Sequence, residues 1–136
     1  MKALSIRQPY AWLIVSGIKT LENRTWRTDY RGPLLIHAGL RIDEAMIRHI
    51  LRQCRSVGEP ITRDEMSEMR IGGAVVGVVD LVDCTQSPTG EDAQWHNPGA
   101  WAWILRNPRQ ISPIPARGRL GLFDLDITPP INIKKL

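Results

Sequence analysis

An α+β domain built on a small barrel is the fold class this sequence predicts. Three observations predict it: short strand-like segments recur along the chain, a Val-rich one is interrupted by Gly77, and three helical segments sit between them. At 136 residues the chain is long enough for one core that buries roughly 68 to 70% of the unfolded surface, so a single domain over residues 1–136 is expected.

Residues 3–6 alternate as a short strand and run into Gln8-Pro9, where Pro9 suits the first helical position. A short helix follows, with Ala11, Trp12, Ile14 and Val15 facing the core and Gly17 as its left-handed cap. Residues 19–26 read as a strand with Thr20, Glu22, Arg24 and Trp26 on one face and Lys19, Leu21 and Asn23 on the other. Arg31-Gly32-Pro33 is a turn and residues 34–38 a buried strand. Ile42, Met46, Ile50, Leu51 and Cys54 then fall at helical spacing, with Arg48, Arg52 and Arg55 facing outward. Thr62 and Glu65 form a capping box that starts a second, brief helix ending before Gly72-Gly73. Residues 74–82 make a long strand bent or bulged at Gly77. The polar stretch over residues 85–99, with Pro88, Gly90, Pro98 and Gly99, is a long loop of the kind that borders a site. Residues 101–105 and 122–127 complete the strands.

Composition narrows the function. No apolar run approaches the ~20 residues of a membrane-spanning helix, and no apolar signal segment develops after Lys2, so a cytoplasmic location without membrane association is expected. Cys54 and Cys84 stand outside any C-x-x-C pattern and read as reduced thiols. His37, His49 and His96 have no metal-ligand spacing, so neither a metal nor another cofactor is implied, and His37 reads as a satisfied imidazole in an apolar strand. The formal charge of +4 is unevenly placed. Residues 1–41 carry seven cations against two anions, and residues 106–119 carry four arginines and no anion. Of the 18 cations 14 are Arg, whose planar fork suits phosphate and base edges. If the two segments are neighbours in space they form one basic face.

The richest stretch for chemistry lies between Arg7 and Arg31. Arg7, Gln8, Tyr10, Lys19, Asn23, Arg24, Trp26 and Arg31 mix cations, amides and aromatic faces. Nucleic-acid sites need that mixture, because cations neutralise phosphate, aromatic rings stack unpaired bases and amides read base edges. Composition alone leaves a second reading open, in which Tyr10 and Trp26 are core aromatics and Glu22 with Arg24 is an ion pair on a strand face. Asp80 and Asp83, three apart on a strand, fall on opposite faces and do not form a paired acid site. Trp101 and Trp103 share a core-facing side, while Trp95 beside His96 is a candidate lid or stacking residue.

Ser5-Ile6-Arg7-Gln8-Pro9-Tyr10-Ala11, Gly17-Ile18-Lys19-Thr20-Leu21-Glu22-Asn23-Arg24-Thr25-Trp26 and Arg31-Gly32-Pro33-Leu34-Leu35-Ile36 follow one another in order. With the segments over residues 77–84 and 104–108, they resemble the activating signal cointegrator homology (ASCH) domain, whose hallmark is G-x-K-x-x-E-x-R. The resemblance implies a PUA-like fold, a barrel of five or six strands with about three flanking helices, related to RNA-binding domains. It implies nucleic acid as partner, RNA favoured over DNA, held in a basic cleft between the first helix and the barrel. Lys19 and Arg24 would hold phosphate, Arg7 and Gln8 would line the helix start, and Tyr10 or Trp26 would stack a base.

The same resemblance implies an alternative, a small hydrolase acting as a ribonuclease or as an amidohydrolase on an acylated cytidine nucleoside, with Lys19 and Glu22 as its catalytic pair. That branch carries threonine where this chain has Glu22. Glu22 would then activate water and Lys19 stabilise the oxyanion. An unbroken strand would put the two on opposite faces, an obstacle that disappears if Lys19 lies ahead of the strand.

Overall fold

Ala3, Leu4 and Ile6 are buried along β1 (Lys2–Gln8), the first strand of a six-stranded sheet in a computed structural model that describes residues 1–129. Pro9 is the N-cap of α1 (Tyr10–Val15), one position earlier than the sequence suggests, and five of the six helical residues are buried. The cap after α1 is the expected one: Gly17 takes φ 82°, and the N–H groups of Ile18 and Lys19 both donate to Leu13 O. That double bond fixes where the chain leaves the helix.

The strand expected over residues 19–26 is shorter. β2 (Leu21–Arg24) begins only after Thr20, whose carbonyl accepts from Leu105 N–H. β3 (Gly32–Ile42) extends past the expected run on both sides and absorbs Ile42, so α2 (Glu44–Ser56) starts later, with the Asp43 carboxylate accepting from Met46 N–H. α3 (Arg63–Glu68) has the predicted capping box of Thr62 and Glu65. β4 (Ala74–Thr85) pairs with β3, and its register breaks opposite Gly77, as expected of a bulge. The 85–99 loop contains a short 3-10 segment, Gly90–Trp95. β5 (Trp101–Pro115) runs ten residues past the expected end at Leu105, and β6 (Leu122–Asp124) is shorter than expected. The added length carries Pro108, Pro113 and Pro115, none of which can donate to a ladder. The strand continues because β2 flanks only its first part, and two register shifts against β4 fall at Pro108 and Pro113.

The strand order is β2-β5-β4-β3-β1-β6, with β1 and β3 parallel and the other neighbours antiparallel. The fold is α+β with six strands and three α-helices, as the sequence predicts. The barrel is corrected in one respect: it does not close. Among the described residues no ladder joins the edge strands β2 and β6. The reason is strand length. Three-residue β6 covers the free edge of β1 only at Lys2, Ala3 and Leu4, leaving Ser5 onward without a strand neighbour on that side.

Both sheet faces are covered. Leu34, Ile36, Val79 and Trp103 belong to the larger core with Ile14 and Val15 of α1, whereas Leu35, Val75, Val78 and Phe123 form the opposite one. Trp12, Leu13, Ile47, Ile50 and Met69 lock the three helices together. Among the described residues no helix is long and apolar enough to cross a membrane. A Cβ at Gly77 would stand 2.7 Å from the Arg109 carbonyl oxygen and inside the Val15 side chain, so the missing side chain is what lets α1 lie on β4. Gly77→Ala should destabilise the fold by about 1 to 3 kcal/mol, the range for overpacking a tight core. Urea unfolding measures it, and an unchanged midpoint would show that α1 is not seated on this glycine.

Candidate functional site

The gap left by the open sheet is a cleft of about 780 Å³, lined by the second half of β1, the start of α1, β2 and residues 94–97. Lys19 stands at its floor, 6% exposed. Its backbone is pinned to Leu13, and its Nζ donates to Leu21 O at 2.7 Å and lies 3.6 Å from Glu22 Oε1. Because Lys19 precedes the strand, it shares a side with Glu22. Burial pulls the Lys19 pKa below its usual 10.5, with the Glu22 carboxylate opposing the fall and Arg24 adding to it.

Glu22 has both oxygens engaged, Oε1 by Lys19 and Oε2 by Arg24 Nη2 at 3.0 Å. Arg24 Nη2 also donates to Ser5 O at 3.0 Å, reaching from β2 to the edge of β1 that β6 leaves bare. One guanidinium therefore spans the seam. Two nitrogens of the lining, Arg24 Nε and Trp95 Nε1, are shielded from solvent and have no acceptor among the described residues.

The aromatic side of the cleft is built from three elements. The Tyr10 hydroxyl donates to Asp43 Oδ2 at 2.9 Å, and the Arg7 guanidinium sits 5.2 Å from the ring centroid. Burial and the Asp43 contact raise the Tyr10 pKa. Asp43 is held below the usual carboxylate range by the Met46 N–H and the Tyr10 hydroxyl. Trp26 stands edge-on to buried Trp103, centroids 4.7 Å apart, and accepts the Trp103 indole N–H on its carbonyl. Trp95 is held by Asn23, whose Nδ2 donates to Trp95 O and whose Oδ1 accepts from Asn97 N–H, both at 2.9 Å.

Of the residues singled out in the sequence, Arg7, Tyr10, Lys19, Glu22, Asn23, Arg24 and Trp26 line this cleft. Gln8 and Arg31 do not. Gln8 is fully buried, its Nε2 donating to Glu68 O and Ile71 O and its Oε1 accepting from Trp12 N–H, so its amide ties the α3 end to α1 instead of facing a ligand. Arg31 turns back on its own loop, donating to Thr28 O and Tyr30 O. His37 is satisfied: Nε2–H donates to Ala116 O at 2.7 Å, which leaves Nδ1 to accept from Ser5 Oγ–H at 2.9 Å. Asp80 and Asp83 are apart in role, one bound by Arg109 at 2.7 Å and the other exposed near Arg31. Cys54 and Cys84 are unbridged, and among the described residues no cluster suits a metal.

The two basic segments meet only in part. Arg106 makes a two-pronged pair with Asp92, and Thr20 Oγ1 donates to the same carboxylate at 2.7 Å, so this arginine anchors the 3-10 segment beside the cleft. The Arg106 contact, with Thr20 behind it, holds the Asp92 pKa down. Arg119 lines a smaller concavity that shares Ser5 and Arg24 with the cleft. Arg41 and Gln94 also line the cleft. The signals for them were the cation count of residues 1–41 and the polar loop, neither of which singles out a position.

A family model described as the ASCH domain matches residues 4–115. The chain is 30% identical over 130 residues to activating signal cointegrator 1 of Mus musculus and 31% identical over 134 residues to that of Homo sapiens. Each alignment takes in 90% of this chain and 22% of the relative, so the chain spans less than a quarter of the curated relatives it matches. Two solved structures are similar at 20% identity, ASCH from Zymomonas mobilis with a TM-score of 0.49 and a point mutant of it with 0.48. Both alignments cover 84% of this chain, and 72% and 74% of the respective structures.

The floor of the cleft makes an asymmetric prediction. Glu22→Gln leaves Lys19 and Arg24 facing each other without a carboxylate and should cost about 3 kcal/mol. Lys19→Met leaves Glu22 paired with Arg24 and should stay within about 1 kcal/mol of the parent. Denaturant titration compares them, and equal losses would show that the pair is not the organising contact. Folding also lowers the pKa of Lys19, so just below the ordinary lysine range the unfolded chain holds a proton that the folded chain has released. Stability contributed by this residue therefore rises with pH through that window. Lys19→Met should remove the rise, which unfolding curves at pH values approaching 10.5 from below would reveal.

Proposed function

The chain belongs to the ASCH domain family, and from that premise we propose that it binds nucleic acid in the seam cleft, RNA in preference to DNA. The observation that carries the reading is the make-up of that cleft: exposed Arg7 and Arg41 at its rim, Tyr10, Trp26 and Trp95 along its sides, and shielded donors without acceptors at Arg24 and Trp95. Rim arginines neutralise phosphate, aromatic faces stack an unpaired base, and buried donors take base acceptors. Lys19 and Arg24 act beneath the phosphates. Lys19 is committed to Leu21 O and Glu22, and Arg24 to Glu22 and Ser5 O. Asn23 positions the Trp95 loop.

Affinity for a single-stranded oligonucleotide should fall linearly on a log scale with salt, by about 0.7 in slope per phosphate neutralised. Arg7→Ala and Arg41→Ala should each flatten that slope by roughly this amount and weaken all sequences alike. A flat salt response in the parent protein would remove phosphate neutralisation as the source of binding.

The contact between Lys19 and Glu22 favours one second reading, hydrolysis of an acylated cytidine nucleoside or of RNA. A buried lysine of lowered pKa beside a carboxylate is a proton-transfer pair, and the cleft has room for a nucleoside. Against it, both Glu22 oxygens are already engaged by cations. Incubation with acetylated cytidine and with RNA separates the readings, since turnover of either by the parent protein establishes the hydrolase and its absence leaves binding.

A further inference from the structure

Deepening the nucleic-acid reading, on which it rests, we propose that the loop over residues 116–121 is a wedge that enters a base stack beside the cleft. Its tip, Leu120, takes the place of a nucleotide drawn into the cleft. Leu120 is 99% exposed, the most exposed of the large apolar side chains among the described residues. A lone exposed leucine is ordinary; the way this one is mounted is not. The stem beneath it is fastened to the core: Ala116 N–H donates to Gly73 O at 3.0 Å and Ala116 O accepts from His37 at 2.7 Å. Gly118 lies so close to the same imidazole that a Cβ there would stand 2.8 Å from His37 Cε1. His37 is itself 2% exposed and held by Ser5. A seated stem thus presents an apolar tip that its own fold leaves uncovered.

The surroundings identify what covers it. Arg117 and Arg119 lead up to the tip, both are exposed, and neither has an ion-pair partner among the described residues. No acidic residue occurs between positions 106 and 119. The concavity that Leu120 and Arg119 line continues into the cleft, because Ser5 and Arg24 belong to both. An apolar side chain on a loop that carries two unpaired arginines, next to a cleft with stacking rings, has the parts needed to unstack a base. The leucine fills the gap in the stack, the arginines hold neighbouring phosphates, and the extruded base enters the pocket.

The test uses an RNA hairpin with 2-aminopurine at one stem position, whose fluorescence rises when that base leaves the stack, alongside a single-stranded oligonucleotide. The parent protein should bind both and raise the hairpin signal. Leu120→Ala should keep single-strand affinity within about twofold, bind the hairpin about tenfold more weakly and lose most of the signal, while Leu120→Met retains it. Leu120 buries nothing of its own fold, so neither change should perturb folding. If Leu120→Ala raises the hairpin signal as the parent does, the wedge is overturned, the cleft reading stands and Leu120 is left as a contact for a protein partner. If the parent protein binds neither oligonucleotide, both readings fall together.

Discussion

Between Ser5 and Arg24 the sheet is joined by a side chain instead of a ladder, and most of what is distinctive about the molecule depends on that substitution. Arg24 reaches from β2 to the bare edge of β1, and it can do so because Glu22 holds the same guanidinium from within β2. Glu22 is in turn held by Lys19, whose buried charge would be costly without that carboxylate. Strand pairing along the same seam would have filled it with backbone. A guanidinium bridge satisfies the carbonyl and leaves a cleft.

Everything that shapes the cleft is tied to the residues around this chain of charges. The turn after α1 places Lys19 through two bonds to Leu13 O, and Thr20 is fixed on one side by Leu105 N–H and on the other by Asp92. Asn23 holds the Trp95 loop from the neighbouring strand position. Arg106 and Arg109 carry positive charge but spend it on Asp92 and Asp80, so they work as fasteners. The positive charge left to face a partner belongs to Arg41 and to Arg7, which stands a loose 3.9 Å from Asp43, on one rim and to Arg117 and Arg119 on the other. A count of arginines by segment could not have made that division, because the acids that neutralise Arg106 and Arg109 lie 14 and 29 residues away in the chain.

Local chemistry was readable wherever it is settled by near neighbours. The capping box of Thr62 and Glu65, the left-handed Gly17 and the bulge at Gly77 each follow from a few adjacent residues, and each appears where the pattern puts it. Element ends were less readable. Ile42 has helical spacing with Met46 yet finishes β3, because pairing with Gln8 of β1 outweighs a preference worth a fraction of a kcal/mol. β5 runs through Pro108 and Pro113 because most of it has no β2 neighbour. Within the candidate site, Gln8 and Arg31 looked like ligands by residue type, but other partners claimed them: two distant carbonyls of the α3 region for Gln8, and its own loop for Arg31.

Residue order by itself determined the α+β class, the family, the six strands and the concentration of cations and aromatics in the first third of the chain. These are properties of composition, periodicity and short motifs. Only the tertiary structure decided that the barrel stays open, that Lys19 and Glu22 share a side, and which arginines remain unpaired. Each of those outcomes depends on which distant group reaches a given side chain or carbonyl first, and that competition is settled by the path of the backbone in space.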